Sequence, residues 1–243
     1  MSARRTFATA LRVLQQIRHD PRTIVLLLVV PSLLIGLMAW LFADTGTFQL
    51  VGPAMLGLFP FIVMFLITSI ATLRERRSGT LERLLIMPIG KLDFLLGYAI
   101  AFGVLAVAQA LVAVAFSVWV CGLEVAESIW MLILVAVANA LLGTSLGLLA
   151  SAFARTEFQV VQFMPVFVFP QILLGGILLP RDQMPDALSA ISDWLPLSYS
   201  VDALNAVASG VDADLIGRDL LVIAAFVAGS LLLGALTLRR RTA

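Results

Sequence analysis

The sequence predicts an all-α integral membrane protein with six transmembrane helices, and three observations lead there. The 243-residue chain is 61% hydrophobic with a mean hydropathy of +1.05, far above a soluble domain. Charge-free runs occupy 23–43, 45–73, 94–123, 128–154, 158–180 and 220–238. A helix rises about 1.5 Å per residue and the hydrocarbon core is about 30 Å thick, so about 20 residues cross it. The last run is the shortest and its span begins a little earlier, giving expected spans at about 23–43, 50–73, 94–120, 128–153, 159–179 and 216–238 in one domain, 1–243. The third observation is the placement of Lys and Arg. With both termini cytoplasmic, fourteen of them lie inside and only Arg181 and Arg218 outside, while the acids run five inside and ten outside. That bias sets orientation. The expectation is a multi-pass protein of the plasma (inner) membrane. The net charge of +1 hides this dipolar distribution, and nothing supports nucleic-acid binding.

Residues 4–20 read as an amphipathic interfacial helix, with Phe7, Ala10, Leu11, Leu14 and Ile17 on one side and Arg5, Arg12 and Gln16 opposite. Arg18 falls on the apolar side and has to snorkel. A plain basic flank that only sets topology is the other reading. The first apolar run is too long for a signal-peptide core and no A-x-A site follows it, so it is expected to stay as span 1, with Pro31, Gly36 and the interfacial Trp40. Span 2 carries Pro53 and Pro60, then Phe61, Met64, Phe65, Thr68 and Ser69. Proline kinks a membrane helix and frees backbone carbonyls. The aromatic and methionine side chains suit an adaptable apolar pathway, and packing suits them equally.

Between spans 2 and 3 lies a charged island, Arg74 to Asp93, holding five of the sixteen basic residues. Ser78-Gly79 breaks the chain. Thr80 then opens about two helical turns in which Leu81, Leu84 and Leu85 share a side, Glu82 and Arg83 turn away, and Pro88 and Gly90 close it. A helix this short is marginal alone in water, and its leucine face has no lipid to enter. It reads as a docking surface for another protein.

Span 3 carries Gly97, Gly103 and Gln109. Span 4 carries Asn139 and the small residues Gly143, Thr144, Ser145 and Gly147, read as close helix packing. In span 5, Gln159, Gln162, Phe163, Val166 and Phe167 share a face, with Pro165 and Pro170 bending the helix and Gln171 deeper. An amphipathic face inside a span meets protein or an aqueous path rather than lipid. After Pro180, Met184, Leu188, Ile191 and Leu195 recur at helical spacing, followed by Trp194, Pro196, Tyr199 and Asp202 in a proline-broken stretch. Such a segment, 182–208, suits outer re-entrant helices, a surface hairpin being the alternative. Span 6 ends at Arg239-Arg240-Arg241, an inner anchor.

The missing chemistry is equally informative. There is no G-x-x-x-x-G-K-[ST] loop, and Lys91 is the only lysine. Cys121 is the only cysteine and His19 the only histidine, so neither a disulfide, a metal cluster nor a catalytic site is expected. No ionisable residue lies mid-span, where a charge costs roughly 3 kcal/mol and is kept for function. Energy for uphill transport then has to come from a separate protein. Sodium coupling through proline-freed carbonyls, in a secondary carrier, stays open, as does a channel or purely structural role.

The order of basic amphipathic helix, two spans, the stretch from Glu75 to Gly97, three further spans, and Leu195–Leu204 (LPLSYSVDAL) before the last span resembles the ABC-2-type permeases of the type V fold. These are membrane subunits of ATP-binding-cassette exporters. The likeness is nearest to daunorubicin/doxorubicin-resistance and multidrug permeases and covers essentially the whole chain. Its more specific motif, E-x-x-x-G-T-L-E-x-L-x-x-x-P, is matched by Glu75, Gly79, Thr80, Leu81, Glu82, Leu84 and Pro88. In similar proteins an Arg often follows the D-A-L of the second motif; here Asn205 stands there.

The resemblance implies that 80–87 is a coupling helix seated on an ATP-binding subunit, present in two copies, which carries the ATP and Mg. This chain binds no cofactor itself. It also implies a second permease subunit, in a homodimer or heterodimer, and spans 2 and 5 facing the shared axis. The 182–208 segment forms an outer lid. The expected cargo is hydrophobic or amphipathic compounds taken from membrane lipid or cytosol, as in drug efflux. A lipid or lipid-linked polysaccharide exporter of the same family is the alternative.

Overall fold

A computed structural model describes residues 3–77 and 91–237. These residues contain no strand, and six helices are long and apolar enough to cross a membrane. The expected coupling helix, with Gly79, Thr80, Leu81, Glu82, Leu84, Leu85 and Pro88, lies outside the described residues.

Helix α1 (Ala3–Arg18) leads to α2 (Pro21–Leu41). Asp20 caps α2, its carboxylate accepting from the Thr23 amide at 3.4 Å and hydroxyl at 2.7 Å, and Pro21 occupies the first turn. The Thr23 bonds hold the Asp20 carboxyl below its usual range. Helix α3 (Phe48–Arg77) returns, and α4 (Lys91–Ala115) rises again, ending in a π-helical turn at Phe116–Val120. Helix α5 (Ile129–Phe153) starts on the Ser128 cap and α6 (Glu157–Leu174) on the Thr156 cap. Two short helices, α7 (Asp186–Ser192) and α8 (Pro196–Ser209), precede α9 (Ile216–Thr237). One end of the bundle, the basic end, carries α1, the close of α3 and the start of α6. The acidic end carries the 181–215 segment.

The centre is the pair α3 and α5, running in the same direction. Asn139 Nδ2 donates to the Gly57 carbonyl at 2.6 Å. One turn on, a Cβ added at Gly143 would lie 2.6 Å from the Phe61 carbonyl oxygen; a further turn on, one at Gly147 would lie 2.6 Å from that of Phe65. Ser69 Oγ closes the ladder on the Gly147 carbonyl at 3.0 Å. Both helices therefore meet along a face of spacing four, backbone to backbone, as the small residues of span 4 predict.

Amide side chains serve the bent spans. Pro31 has no N–H for the Leu27 carbonyl four residues back; Gln109, buried in α4, donates to that carbonyl at 2.9 Å. Gln171 of α6 donates to the Phe167 carbonyl at 2.7 Å and accepts the Leu197 amide at 3.1 Å. It thus satisfies a first-turn donor of α8, whose N-cap, Leu195, has no side chain to do so.

Helix α8 is buried among the spans. Leu197, Ser198, Ser200, Val201, Leu204 and Val207 are all fully buried. Gly57 makes the room: a Cβ there would meet Leu204 Cδ1 at 2.9 Å. That contact lies nine residues into α3, about 14 Å from its start at 1.5 Å per residue. The far end of α8 is held at the acidic end, where the Ala126 and Glu127 amides donate to the Ala208 and Val207 carbonyls at 3.0 and 3.1 Å. Gly210 terminates it with φ +74°.

The structure adds detail to α1 and differs from expectation in span 5 and the stretch after it. In α1 the face against the bundle is Thr6, Thr9, Ala10, Val13 and Ile17, while Phe7 and Leu11 are exposed. The reason is close approach: a Cβ at Gly97 of α4 would sit 2.6 Å from Thr9 Cβ, so small side chains pack and large ones point outward. Arg12 is paired rather than solvated, as described below. Span 5 stops at Leu174 instead of 179: Gly175 takes a conformation in which a Cβ would collide with the Gln171 carbonyl, and Gly176 turns left-handed at φ +78°. The periodic stretch Met184–Leu195 is helical only over Asp186–Ser192, with Leu195 serving as the N-cap of α8.

Two tests follow from this packing. Gly143→Ala and Gly147→Ala each push a methyl into a backbone carbonyl and should cost about 2 kcal/mol or more. Gly229→Ala, where a Cβ meets nothing within 4 Å, should be neutral or stabilising by about 0.5 kcal/mol; thermal survival of monodisperse protein in detergent reads the difference. Gln109→Leu strands the Leu27 carbonyl and should cost about 1 kcal/mol. In a Pro31→Ala background, where residue 31 regains its own N–H, that cost should largely vanish.

Candidate functional site

At the basic end, three consecutive residues in the last turn of α3 reach three different helices. Arg74 forms a two-pronged pair with Glu157 at the start of α6, at 2.8 and 3.0 Å. Glu75 accepts Arg12 of α1 at 2.5 Å, and Arg12 also donates to Tyr98 of α4 at 3.1 Å. Arg76 donates to the Ser151 carbonyl at the end of α5. The Arg74 pair is exposed and contributes little to stability on its own. The Arg12–Glu75 pair is better shielded, with side-chain exposures of 30% and 14%. This turn immediately precedes residues 78–90, so any force on that segment enters a joint tied to α1, α4, α5 and α6. Glu75 is the described member of the E-x-x-x-G-T-L-E motif. Sequence reading missed Tyr98, which carries no signal in an apolar span until its partner Arg12 is placed beside it.

The expected pathway residues divide. Phe61, Met64, Phe65 and Thr68 of α3 are fully buried within the chain. Phe61 joins the cluster around Val168, Leu197 and Val201, and Met64 the cluster around Tyr98 and Phe102. Phe65 is brought to α6: its ring lies 6.1 Å from that of Phe167, which is 6.4 Å edge-on from Phe163. Gln159 helps to start α6; its Oε1 accepts the Arg155 backbone N–H at 2.7 Å while its own backbone N–H donates to Thr156 Oγ1 at 3.1 Å, a variant of the capping box. Gln162 is exposed one turn further along, and Val166, Phe167 and Phe169 are exposed beyond it. Only 17% of this span is buried, against 56% for α3 and 61% for α5, so α6 is far less enclosed by the chain than that pair.

At the acidic end Arg181 fastens the short helices. It pairs with Asp202 of α8 at 2.6 Å and with Asp193 between α7 and α8, and its guanidinium carbon lies 5.2 Å from the Tyr199 ring centroid. Tyr199 donates to the Asp193 carbonyl at 2.9 Å, and Ser192 to the Leu174 carbonyl at the end of α6 at 2.6 Å. Tyr199 and Pro196 are buried; Trp194 is 80% exposed, suited to an interfacial position. Sequence reading counted Arg181 only as a charge. Its signal was available: it is one of two basic residues among ten acids on that side.

Comparison with known proteins follows this geometry. The chain is 29% identical over 150 residues to the probable multidrug ABC transporter permease YbhR of Escherichia coli (strain K12), covering 62% of this chain and 41% of the relative. It is 27% identical over 178 residues to the probable multidrug ABC transporter permease YbhS of the same organism, covering 72% and 47%. The linearmycin resistance permease protein LnrN of Bacillus subtilis (strain 168) is 24% identical over 148 residues, covering 60% and 38%. The chain thus spans less than half the length of these relatives. A family model described as ABC-2 type transporter matches residues 4–208, taking in α1, both helices flanking 78–90, and α8. The chain is a multi-pass membrane protein that belongs to the ABC-2 type transporter family.

Proposed function

We propose that the chain is the permease subunit of an ATP-driven exporter that moves hydrophobic or amphipathic compounds, in the manner of drug efflux. The observation that carries this reading is the outward face of α6. An exposed amide, Gln162, stands among exposed Val166, Phe167 and Phe169, with the ring of Phe65 of α3 packed at a tilt against Phe167. An amide facing lipid is costly, so this face meets either protein or an aqueous path. A second permease subunit, the same or a different chain, supplies both when two such faces oppose each other across a shared axis. A cavity built from phenylalanine with few amides selects apolar cargo with little demand for hydrogen bonds. The names of the relatives, multidrug and linearmycin resistance permeases, agree with such cargo.

The energy arrives at the basic end, which on this reading faces the cytoplasm together with both termini. The segment 80–87, whose leucine spacing the sequence reads as one helical face, seats on one of two ATP-binding subunits, which hold the nucleotide and Mg. Its motion enters the Arg74–Arg76 turn and is passed to α6 through Glu157 and to α1 through Arg12. At the other end α7 and α8 act as a lid, fastened together by Arg181 through Asp193 and Asp202 and tied to the end of α6 by Ser192 and Gln171.

Joint replacement of Leu81, Glu82 and Leu84 by alanine should abolish co-purification with the ATP-binding subunit. ATP-dependent extrusion of an amphipathic dye from reconstituted vesicles should fall at least about tenfold. Unchanged binding and coupling overturn the assignment, as does uphill extrusion by this chain alone. Preference for a labelled lipid over the dye would transfer the reading to lipid export.

Arg181→Gln removes two ion pairs to partly exposed carboxylates, a loss of about 1–2 kcal/mol after allowing for solvent. In a Cys121→Ser background, a cysteine at the fully buried Ser200 should react with a water-soluble maleimide about fivefold to tenfold faster once Arg181 is replaced.

A further inference from the structure

Packing fixes the rotation and the depth of α1. Thr6, Thr9, Ala10, Val13 and Ile17 face the bundle, and Thr9 meets α4 at Gly97. That contact lies six residues past Lys91, about 9 Å along α4 at 1.5 Å per residue. It falls inside the apolar stretch long enough to span, Leu95–Val120. Helix α1 is therefore held at the edge of the apolar layer rather than below it. On the side turned away from the bundle, Arg4, Phe7, Leu11 and Arg18 fall within about 60° of one another at 3.6 residues per turn. All four are exposed, Phe7 by 60% and Leu11 by 58%.

The row reads arginine, two large apolar side chains, arginine. At this depth Phe7 and Leu11 meet lipid tails. An arginine beside them lays its stem on the apolar layer and lifts its guanidinium to the headgroups. The chain offers these two arginines no anion. Glu75 is taken by Arg12, Glu157 by Arg74, and Asp20 caps α2 through Thr23. The four ion pairs among the described residues use neither Arg4 nor Arg18.

From this row we propose that the outer side of α1 is a binding site for anionic phospholipids, distinct from the α6 face. Arg4 and Arg18 are fourteen residues apart, about 21 Å along the helix, so each holds a headgroup of its own. Phe7 and Leu11 between them pack on the upper acyl chains. A guanidinium fits the phosphate oxygens with paired donors. A zwitterionic headgroup carries its own cation beside the phosphate and an anionic one does not, so the arginines favour the anionic lipid. An acidic protein could match the arginines, but it would have to enter the lipid to cover Phe7 and Leu11.

The test reads lipid composition at the row itself. The full chain is reconstituted in vesicles of phosphatidylcholine and phosphatidylglycerol at equal mole fraction, with fluorescence-quenching dibrominated acyl chains on one lipid or the other. The native tryptophans, Trp40, Trp119, Trp130 and Trp194, are exposed at the acidic end and supply the reference. Leu11→Trp adds a probe in the middle of the row. Its added signal should report at least about threefold more phosphatidylglycerol than phosphatidylcholine, against a ratio of about one or less at the native four. Arg4→Gln with Arg18→Gln should bring position 11 down to about one. Arg5→Gln with Arg155→Gln removes two exposed charges from the same end but off the row, and should leave the ratio above about twofold. Unchanged quenching of the native tryptophans shows that each variant is inserted alike. A ratio of one from the outset overturns the proposal. An equal fall in both arginine pairs means a diffuse positive potential and overturns it. Quenching at position 11 by neither lipid means that protein covers the row, and overturns it too. None of these outcomes bears on transport, so the site and the export reading stand or fall separately.

Discussion

The molecule depends on one contact: the face of α5 pressed against carbonyl oxygens of α3. Helices in lipid gain nothing from hiding apolar surface from each other, so closeness and hydrogen bonding have to supply the attraction. Gly143 and Gly147 allow the closeness; Asn139 and Ser69 supply the bonds. With α5 occupying that face, Phe61 and Phe65 project to other sides of α3, one toward the cluster around Leu197 and the other toward Phe167. At the start of the same ladder, Gly57 also admits Leu204 and so sets how closely α8 packs on α3. The positions of the pathway aromatics and of the inserted helix are thus consequences of where α3 has side chains and where it has none.

A second constraint acts on the polar residues. Each buried backbone group in a membrane interior needs a partner, and proline removes one at every bend. Gln109 serves the Leu27 carbonyl, Asn139 serves Gly57, and Gln171 serves the Leu197 amide. Three mid-span amides are accordingly employed in holding helices together. Gln159 is employed in starting one. Among the described residues of the proposed pathway this singles out Gln162, whose neighbours are exposed and whose side chain is turned away from the chain's own core.

The class, the spans and the use of small residues were legible because they depend on length, charge and side-chain size, which sequence states directly. The spacing of Gly143 and Gly147 already implied a close pairing, and the structure supplies its partner. Rotation of a helix about its axis was not legible. In α1 the sequence grouped Phe7, Ala10, Leu11, Leu14 and Ile17 on one apolar side without saying which of them meet the bundle; the structure buries Ala10 and Ile17 and leaves Phe7 and Leu11 exposed. The rule that sorts residues in water carries no sign in a bilayer. Span 5 was misjudged by five residues for a related reason: 175–180 is apolar enough to continue, and only the conformation of Gly175 and Gly176 ends the helix. The ties at both ends, Arg12 to Glu75 and Arg181 to Asp202, join residues 63 and 21 positions apart. No local pattern announces such a pair.

Unequal burial decides which parts of such a bundle are free to shift. The α3–α5 ladder binds two spans that are more than half buried, and moving one past the other would break backbone-level contacts all along their length. Helix α6 has a far smaller buried share and is held at separated points: Glu157 and buried Val160 at one end, the tilted Phe65–Phe167 pair and buried Val168 in the middle, Gln171 and the Leu174 carbonyl near the other. A force entering the last turn of α3 therefore meets a stiff pair behind it and a loosely held span beside it. On the proposed reading, the displacement passes into α6, the span that carries the outward aromatic face, and through Gln171 into α8. Movement at the basic end is thereby linked to the lid at the acidic end without any charged group having to cross the membrane interior.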